Sequence, residues 1–299
     1  MEVGEFRRQA VDVLKALYPS AEAAAIVRAW LEDRLGTAPH ELSLQHPNEL
    51  DAAKLKALEV ELSRMARGEP LQYILGKTPF WDLQLKVGPG ALIPRPETEE
   101  LIEWVLETFW KHRKEAFHFL EIGTGSGCIA LALLRAFPNS RVTALDISAE
   151  ALAVAEENFS SLCQTTECST DRCEFHELDI FAPKAWQWLA ESQKFDVIIS
   201  NPPYVPAEEL NQLHQNVVEY EPHIALFPEG DDPLIFYRDI LENAHKVLKA
   251  GGFIFMEYHP EKVMNVFHLA DAAPNIYATE MRRDQYDRWR MLRARILPN

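Results

Sequence analysis

Phe117-His118-Phe119-Leu120-Glu121-Ile122-Gly123-Thr124-Gly125-Ser126-Gly127 is an apolar run that breaks into three glycines at alternate positions. The run from Phe117 to Ile122 reads as a buried strand, Gly123 to Gly127 as a turn, and Cys128 to Phe137 as the helix that follows. Glycines in such a turn let the backbone approach a ligand closely, and the helix start offers free N–H groups. The same texture repeats downstream. Arg141 to Leu145 reads as a strand ending at Asp146, Ala149 to Phe159 as its helix, and Glu174 to Leu178 as a third strand ending at Asp179. Phe195 to Ser200 reads as a fourth strand. Leu234 to Leu248 reads as a helix stopped by Gly251-Gly252, with Phe253 to Glu257 as a fifth strand. Tyr277 to Met281 and Trp289 to Arg293 are the closing strands, antiparallel to each other. Strand–helix alternation of this kind predicts an α/β domain with a parallel, Rossmann-like sheet covered on both faces.

Asp146 lies 23 residues beyond Gly123, at the end of the next strand, where a carboxylate can accept both hydroxyls of a ribose. Dinucleotide sites show G-x-G-x-x-G. This turn is G-x-G-x-G and has no basic residue to meet a pyrophosphate, so a nucleoside cofactor without phosphate fits better. S-adenosylmethionine is such a molecule. Glu121 is placed to meet its ammonium, directly or through water. Asp179 and Ile180 are placed to line its adenine, or else to serve as a strand-end cap and a core residue.

The fourth strand runs into Ser200-Asn201-Pro202-Pro203-Tyr204. Two successive prolines fix φ twice and remove two backbone donors. What remains is a rigid turn offering carbonyl oxygens, the Asn201 amide and the Tyr204 ring, a set that suits a planar group carrying an NH2. The loop holds no titratable acid or base of useful pKa, so the chemistry expected is positioning and electrostatics.

The first 75 residues read as helices. Phe6, Ala10, Val13, Leu14 and Leu17 recur at helical spacing. Ser20 is the expected N-cap of a second helix that presents Ile26, Val27, Trp30, Leu31 and Leu35 and stops at Gly36. A third runs from about Asn48 to Arg67, with Leu50, Leu55, Leu58, Leu62 and Met65 inward and Gly68 as its stop. This part is a small all-α bundle without a catalytic constellation, read as a partner-binding module. Between residues 76 and 95, Leu83, Leu85 and Val87 alternate ahead of Pro89-Gly90 and Ala91-Leu92-Ile93, the pattern of a β-hairpin linker with Pro-Gly at its turn. Pro96 or Thr98 opens the next helix, Glu100 to Trp110, so the catalytic domain is expected over 96–299.

The 299 residues are 47% apolar and 25% charged, with a formal net charge of −16. Between Asn201 and Asn243 there are nine Asp or Glu against one Arg, a net of −8. A phosphate backbone is repelled by such a surface, which argues against direct DNA binding and for a basic protein partner. The first 17 residues have no apolar core of a signal peptide, and no stretch approaches the ~20 apolar residues of a membrane span. Four cysteines form no disulfide framework, and the expected compartment is a reducing cytoplasm. Cys163, Cys168 and Cys173 are evenly spaced in an apparent Ser/Thr-rich loop with His176 nearby, but the spacing is not a metal-ligand pattern and no metal is expected.

Glu121-Ile122-Gly123-Thr124-Gly125-Ser126-Gly127 followed, 74 residues after Gly127, by Asn201-Pro202-Pro203-Tyr204 resembles the class I S-adenosylmethionine-dependent amino methyltransferases. Three further stretches narrow the resemblance to the HemK/PrmC protein-glutamine methyltransferases: Gly68-x-Pro70-x-x-Tyr73-x-x-Gly76, Leu92-Ile93-Pro94-Arg95-Pro96-Glu97-Thr98-Glu99, and Glu221-Pro222-x-x-Ala225-Leu226. The resemblance implies a seven-stranded methyltransferase domain behind a helical domain and hairpin linker. It implies methylation, at N5, of the glutamine in the Gly-Gly-Gln motif of peptide chain release factors. Asn201 to Tyr204 would hold that glutamine, with the Asn201 side chain and the Pro202 carbonyl taking its NH2 and Pro203 stiffening the turn. Tyr204, Leu92 and Pro94 would wall the pocket. Gly123, Thr124, Gly125, Ser126, Gly127, Asp146, Ile180 and the near edge of Asn201 would line the S-adenosylmethionine. The chain departs from the family at Tyr258-His259-Pro260, after the fifth strand, and at Ile180, where an aromatic is frequent. Rival readings are a glutamine methyltransferase of a ribosomal protein, a methyltransferase of DNA bases, a non-enzymatic S-adenosylmethionine-binding protein, and a nicotinamide oxidoreductase. The arginines at 282, 283, 288, 290, 293 and 295 read as a solvated closing hairpin or as a docking patch for RNA-like partners.

Overall fold

A computed structural model describes residues 1–36, 49–166, 168–230 and 232–298. They form two compact units, one of residues up to 77 together with 213–220, the other of 78–212 and 221 onward.

In the first unit the helices are α1 (Val3–Leu14), α2 (Ser20–Leu35), α3 (Ala52–Met65) and α4 (Leu71–Leu75), with the short α9 (Gln215–Tyr220). Phe6, Ala10 and Leu14 put one apolar residue on each turn of α1, and they meet Val27, Trp30 and Leu31 of α2 and Leu58 and Met65 of α3 in one core. Val13, expected inward, is 42% exposed; it lies at the edge of that stripe, in the last turn of α1. Ser20 is the first helical residue rather than a cap; Pro19 precedes it and no side-chain cap bond forms. Asp51 caps α3 by accepting the Lys54 N–H at 2.8 Å. The expected start of this helix at Asn48 lies outside the described residues. Glu61 accepts from both the buried Trp30 indole (2.6 Å) and Arg34 (2.9 Å), which ties α3 to α2.

The hairpin turn lies elsewhere than expected. β1 (Lys77–Phe80) and β2 (Leu83–Lys86) pair through Trp81-Asp82, and residues 91–93 form no strand. Trp81 takes φ 54°, a conformation whose usual marks are glycine or asparagine, so nothing local announced the turn. Pro89-Gly90 does form a turn, closed by the Ala91 N–H donating to the Gly88 carbonyl at 3.1 Å, but it joins no pair of strands.

Among the described residues the second unit carries a seven-stranded sheet. Its strands are β3 (His118–Ile122), β4 (Arg141–Asp146), β5 (Cys173–Glu177), β6 (Phe195–Ser200), β7 (Leu248–Glu257), β8 (Ile276–Arg283) and β9 (Trp289–Ile296), in spatial order β5-β4-β3-β6-β7-β9-β8. The first five are parallel, and β9 runs antiparallel to both β7 and β8. The helices are α5 (Pro96–Phe109), α6 (Cys128–Ala136), α7 (Ala149–Thr165), α8 (Ala185–Ser192), α10 (Ile235–Val247) and α11 (Val263–Ala272). Each inner strand is apolar on both sides. Phe119, Val197 and Ile199 pack with α5, α6 and α7, whereas Leu120, Ile122 and Ile198 pack with α8, α10 and α11.

Chain order runs outward from β3 to β4 and β5, then returns to β6 on its other side. That reversal opens a crevice at the carboxyl ends of β3 and β6, where open α/β sheets bind ligands. The two strands are in register, Ile122 opposite Ser200, and the Ser200 hydroxyl donates to the Ile122 carbonyl at 2.7 Å. The turn of glycines and the Asn-Pro-Pro-Tyr loop therefore leave adjacent strand ends from a locked starting point.

Several sequence expectations need correction here. α7 continues to Thr165, so Cys163 is helical and the supposed loop is shorter. α8 and α11 had no expected counterpart. β7 begins at Leu248, directly after α10, and Gly251-Gly252 lie inside it as an irregularity in the pairing with β6. A Cβ on Gly252 would stand 2.9 Å from the Lys249 carbonyl oxygen and 3.0 Å from that of Asp196, a close approach only glycine permits. Pro96, not Thr98, takes the first helical position of α5, where its missing N–H costs nothing, and Glu97 and Glu99 face the helix start. Among the described residues no helix is long and apolar enough to cross a membrane.

Candidate functional site

A cavity of about 220 Å³ opens at the crevice. Of the residues singled out from sequence, Leu92, Pro94, Glu121, Gly123, Thr124, Gly125, Ser126, Asp146, Asp179, Ile180, Asn201 and Pro203 line it. Gly127, Pro202 and Tyr204 are not among the lining residues. Gly127 is the residue before α6, with φ 81°, and a Cβ there would press on Ala155 of α7 at 3.1 Å, so its task is helix packing. Pro202 is buried. The Tyr204 ring packs against the core, and its hydroxyl donates to Glu257 at 2.9 Å.

Gly123 and Gly125 have φ of 75° and 55° and nothing within 4 Å of an added Cβ, so the turn folds its backbone against open space. Asp146 holds this turn in place: one carboxylate oxygen accepts the Gly125 N–H at 2.8 Å and the other accepts the Ser148 N–H at 2.9 Å. A carboxylate has about four acceptor sites, so each oxygen keeps capacity for a ribose hydroxyl.

Glu121 is fully buried. Its Oε2 accepts the Thr124 hydroxyl at 2.7 Å, and among the described residues its Oε1 has no partner, as is also true of the buried Ser126 hydroxyl. A buried carboxylate oxygen with no donor is costly, and an ammonium group supplies what it lacks. The acidic end of the cavity, the hydroxyl acceptor at Asp146 and the apolar Ile180 thus fit S-adenosylmethionine group by group. Burial pushes the Glu121 carboxyl up to about 8. The folded chain therefore holds this proton more tightly than the unfolded chain, and the stability this adds is full below 4.5 and lost as pH rises through about 8. The ligand-free protein is expected to lose melting temperature from about pH 5 to about pH 8, and Glu121→Gln to flatten that loss. Thermal melts across this range check it; parallel curves for the two proteins would contradict it.

Asp179 also caps its own turn, accepting the Phe181 N–H at 2.9 Å, and Ile180 is 5% exposed in the core, so the bland roles and the lining roles coincide. Thr98, Ile147, Phe181, Ile224, Phe227 and Phe236 are among the further lining residues, and sequence reasoning gave none of them a place in the site. Position was the available signal for two of them: Ile147 follows the strand-end Asp146, and Phe181 follows Ile180, so the aromatic expected at 180 stands one residue on and packs on Phe236 at 4.8 Å.

The Leu92–Glu99 stretch is fixed by two buried carboxylates. Glu221 accepts the Ile93 N–H at 3.1 Å and the Arg95 guanidinium at 2.6 Å. Glu257 accepts the Thr98 hydroxyl at 2.8 Å. The arginines of the last strands are engaged within the protein. Arg282 meets Glu107, Arg283 meets Asp287, Arg288 and Arg290 meet Asp284, Arg293 meets Glu280, and Arg295 donates to the Gly251 carbonyl. A closing hairpin explains them. Cys163 sits on α7 and Cys173 opens β5.

A model of the PrmC N-terminal domain matches residues 5–76, and a model described as a methyltransferase domain matches residues 113–290. The chain is 36% identical over 297 residues to the release factor glutamine methyltransferase of Flavobacterium psychrophilum, covering 98% of this chain and 99% of that one. It is 38% identical over 245 residues to the protein of the same name from Bacteroides thetaiotaomicron, covering 82% of each. A solved methyltransferase from Pyrococcus furiosus superposes with a TM-score of 0.50 at 19% identity over 83% of this chain and 100% of that one, a likeness of fold.

Proposed function

We propose that this chain, which belongs to the release factor glutamine methyltransferase family, methylates the side-chain amide nitrogen of the glutamine in the Gly-Gly-Gln motif of a peptide chain release factor. The observation that carries the reading is that the glycine turn from β3 and the Asn201 loop from β6 line one cavity, so a methyl donor and an amide acceptor can share it. S-adenosylmethionine, when bound, supplies an electrophilic methyl group on a sulfonium.

An amide nitrogen is a poor nucleophile because its lone pair is delocalised into the carbonyl. Asn201 Oδ1 and the Pro202 carbonyl would accept one hydrogen each from the NH2, orienting the nitrogen and favouring its pyramidalisation. Fixed acceptors also stabilise the positive charge that develops there. The Asn201–Tyr204 loop contains no base, so the proton is shed to water once the transferred methyl makes it acidic. Glu121 would hold the ammonium of the donor, Asp146 its ribose, and Ile180 its adenine. Residues 1–75 would bind the substrate protein and 76–95 serve as linker to a catalytic domain over 96–299. The acidic stretch from 201 to 243 suits a basic partner.

Radiolabelled S-adenosylmethionine offered with an intact release factor, the same factor with its Gly-Gly-Gln glutamine changed to alanine, a ribosomal protein and duplex DNA tests the reading. Label on the intact factor alone is expected. Label on DNA, on the ribosomal protein alone, or on both forms of the factor would overturn it.

A further inference from the structure

We propose that Thr98 and Glu257 are positioning residues for this transfer, forming a buried hydrogen-bond relay that sets which end of the Asn201 carboxamide faces the acceptor. The inference rests on the function proposed above.

The relay has three members from three elements. Glu257 ends β7 and is 1% exposed; Thr98 lies in the first turn of α5 and is 2% exposed. The Thr98 hydroxyl donates to Glu257 Oε2 at 2.8 Å, and Asn201 Nδ2 donates to Thr98 Oγ1 at 3.0 Å. A threonine hydroxyl has a single hydrogen. With that hydrogen committed to a carboxylate, Oγ1 can only accept. Asn201 must then turn its NH2 toward Thr98, and its Oδ1 is left for the cavity that Asn201 lines. An amide substrate presents hydrogens, so an oxygen is the pole the site needs.

Polarity therefore originates at Glu257. Its other oxygen takes the Tyr204 hydroxyl at 2.9 Å, so one carboxylate fixes both ends of the Asn201–Tyr204 loop. Arg290, 8% exposed, places its Nη1 3.5 Å from the Tyr204 oxygen and supplies positive charge behind the pair. Without the acceptor at 257, the Thr98 hydroxyl is free to rotate and donate to Asn201 Oδ1. The carboxamide would then flip, and its NH2 would meet the NH2 of the substrate, donor against donor.

The test uses the full chain with Thr98→Val, which keeps the shape and removes the hydroxyl, Thr98→Ser, which keeps the hydroxyl, and Glu257→Gln, which can donate as well as accept. Three quantities are read: kcat and KM on a release factor, the S-adenosylmethionine Kd by calorimetry, and the 15N side-chain amide signal of Asn201. Thr98→Val and Glu257→Gln are expected to lower kcat about tenfold or more with Kd changed less than about twofold, and to shift the Asn201 signal. Thr98→Ser is expected to restore both. Wild-type kcat and an unshifted signal in Thr98→Val, or a Thr98→Ser protein as impaired as Thr98→Val, would overturn the relay. Thr98→Val decides the matter even if Glu257→Gln fails to fold. If the wild type does not label the release factor at all, the proposed function falls instead, and the amide signal still decides the relay.

Discussion

Replacing Asn201 with alanine lowers turnover on the order of 10²–10³-fold and leaves the affinity for S-adenosylmethionine within about threefold. The size follows from what Asn201 does in the proposed reaction. Its carboxamide is one of two fixed acceptors for the NH2 of the substrate, and a preorganised group that meets developing charge in a water-poor cleft is worth far more than the same contact in water. The split follows from geometry. Glu121, the glycine turn and Asp146 sit at the ends of β3 and β4, whereas Asn201 leaves β6, so truncating it removes nothing from the turn held by Asp146. Single-turnover methylation of a release factor, set beside a calorimetric titration, measures both quantities. Equal loss of both would make Asn201 a cofactor or folding residue.

Asp146→Ala is expected to do the reverse. Affinity for S-adenosylmethionine falls about 10²-fold or more, and turnover at saturating cofactor changes far less. The carboxylate is the acceptor proposed for both ribose hydroxyls, and hydrogen bonds to a charged acceptor contribute roughly 1.5–3 kcal/mol each. It also holds the glycine turn through the Gly125 N–H and the following helix start through the Ser148 N–H. Removal leaves both donors without their partner, so the turn loosens as well. Asp146→Asn keeps one acceptor oxygen and is expected to fall between wild type and Asp146→Ala. The check is calorimetry on the three proteins with thermal melts alongside. An affinity unchanged in Asp146→Ala would remove the ribose assignment, and with it the strongest support for where the cofactor lies.

The parts of the site carried by strand ends were legible in the sequence, because each is marked by a local change of texture. Phe195–Ser200 was found with its bounds correct: a parallel inner strand is apolar on both faces, and the polar loop after it is an abrupt stop. Gly123 to Gly125 and Asp146 were found for the same reason. What stayed hidden was whatever depends on residues distant in the chain. Thr98 and Glu257 are 159 residues apart and meet because α5 packs against β7, a contact with no local signature. Ser160, Ser161 and Cys163 read as loop because their intrinsic preferences favour one, yet Phe159 and Leu162 pack into the core and carry α7 on to Thr165. The turn at Trp81-Asp82 was misplaced because a tryptophan at positive φ gives no warning.

The central claim is that the amide nitrogen of one glutamine receives the methyl group. Its most direct test is fragmentation mass spectrometry of a release factor treated with this protein and S-adenosylmethionine. The account predicts one added methyl mass, confined to the fragment ions that contain the glutamine of the Gly-Gly-Gln motif and retained after mild base, as an amide methyl is and a methyl ester is not. A methyl group on any other residue, or one released by base, would contradict it.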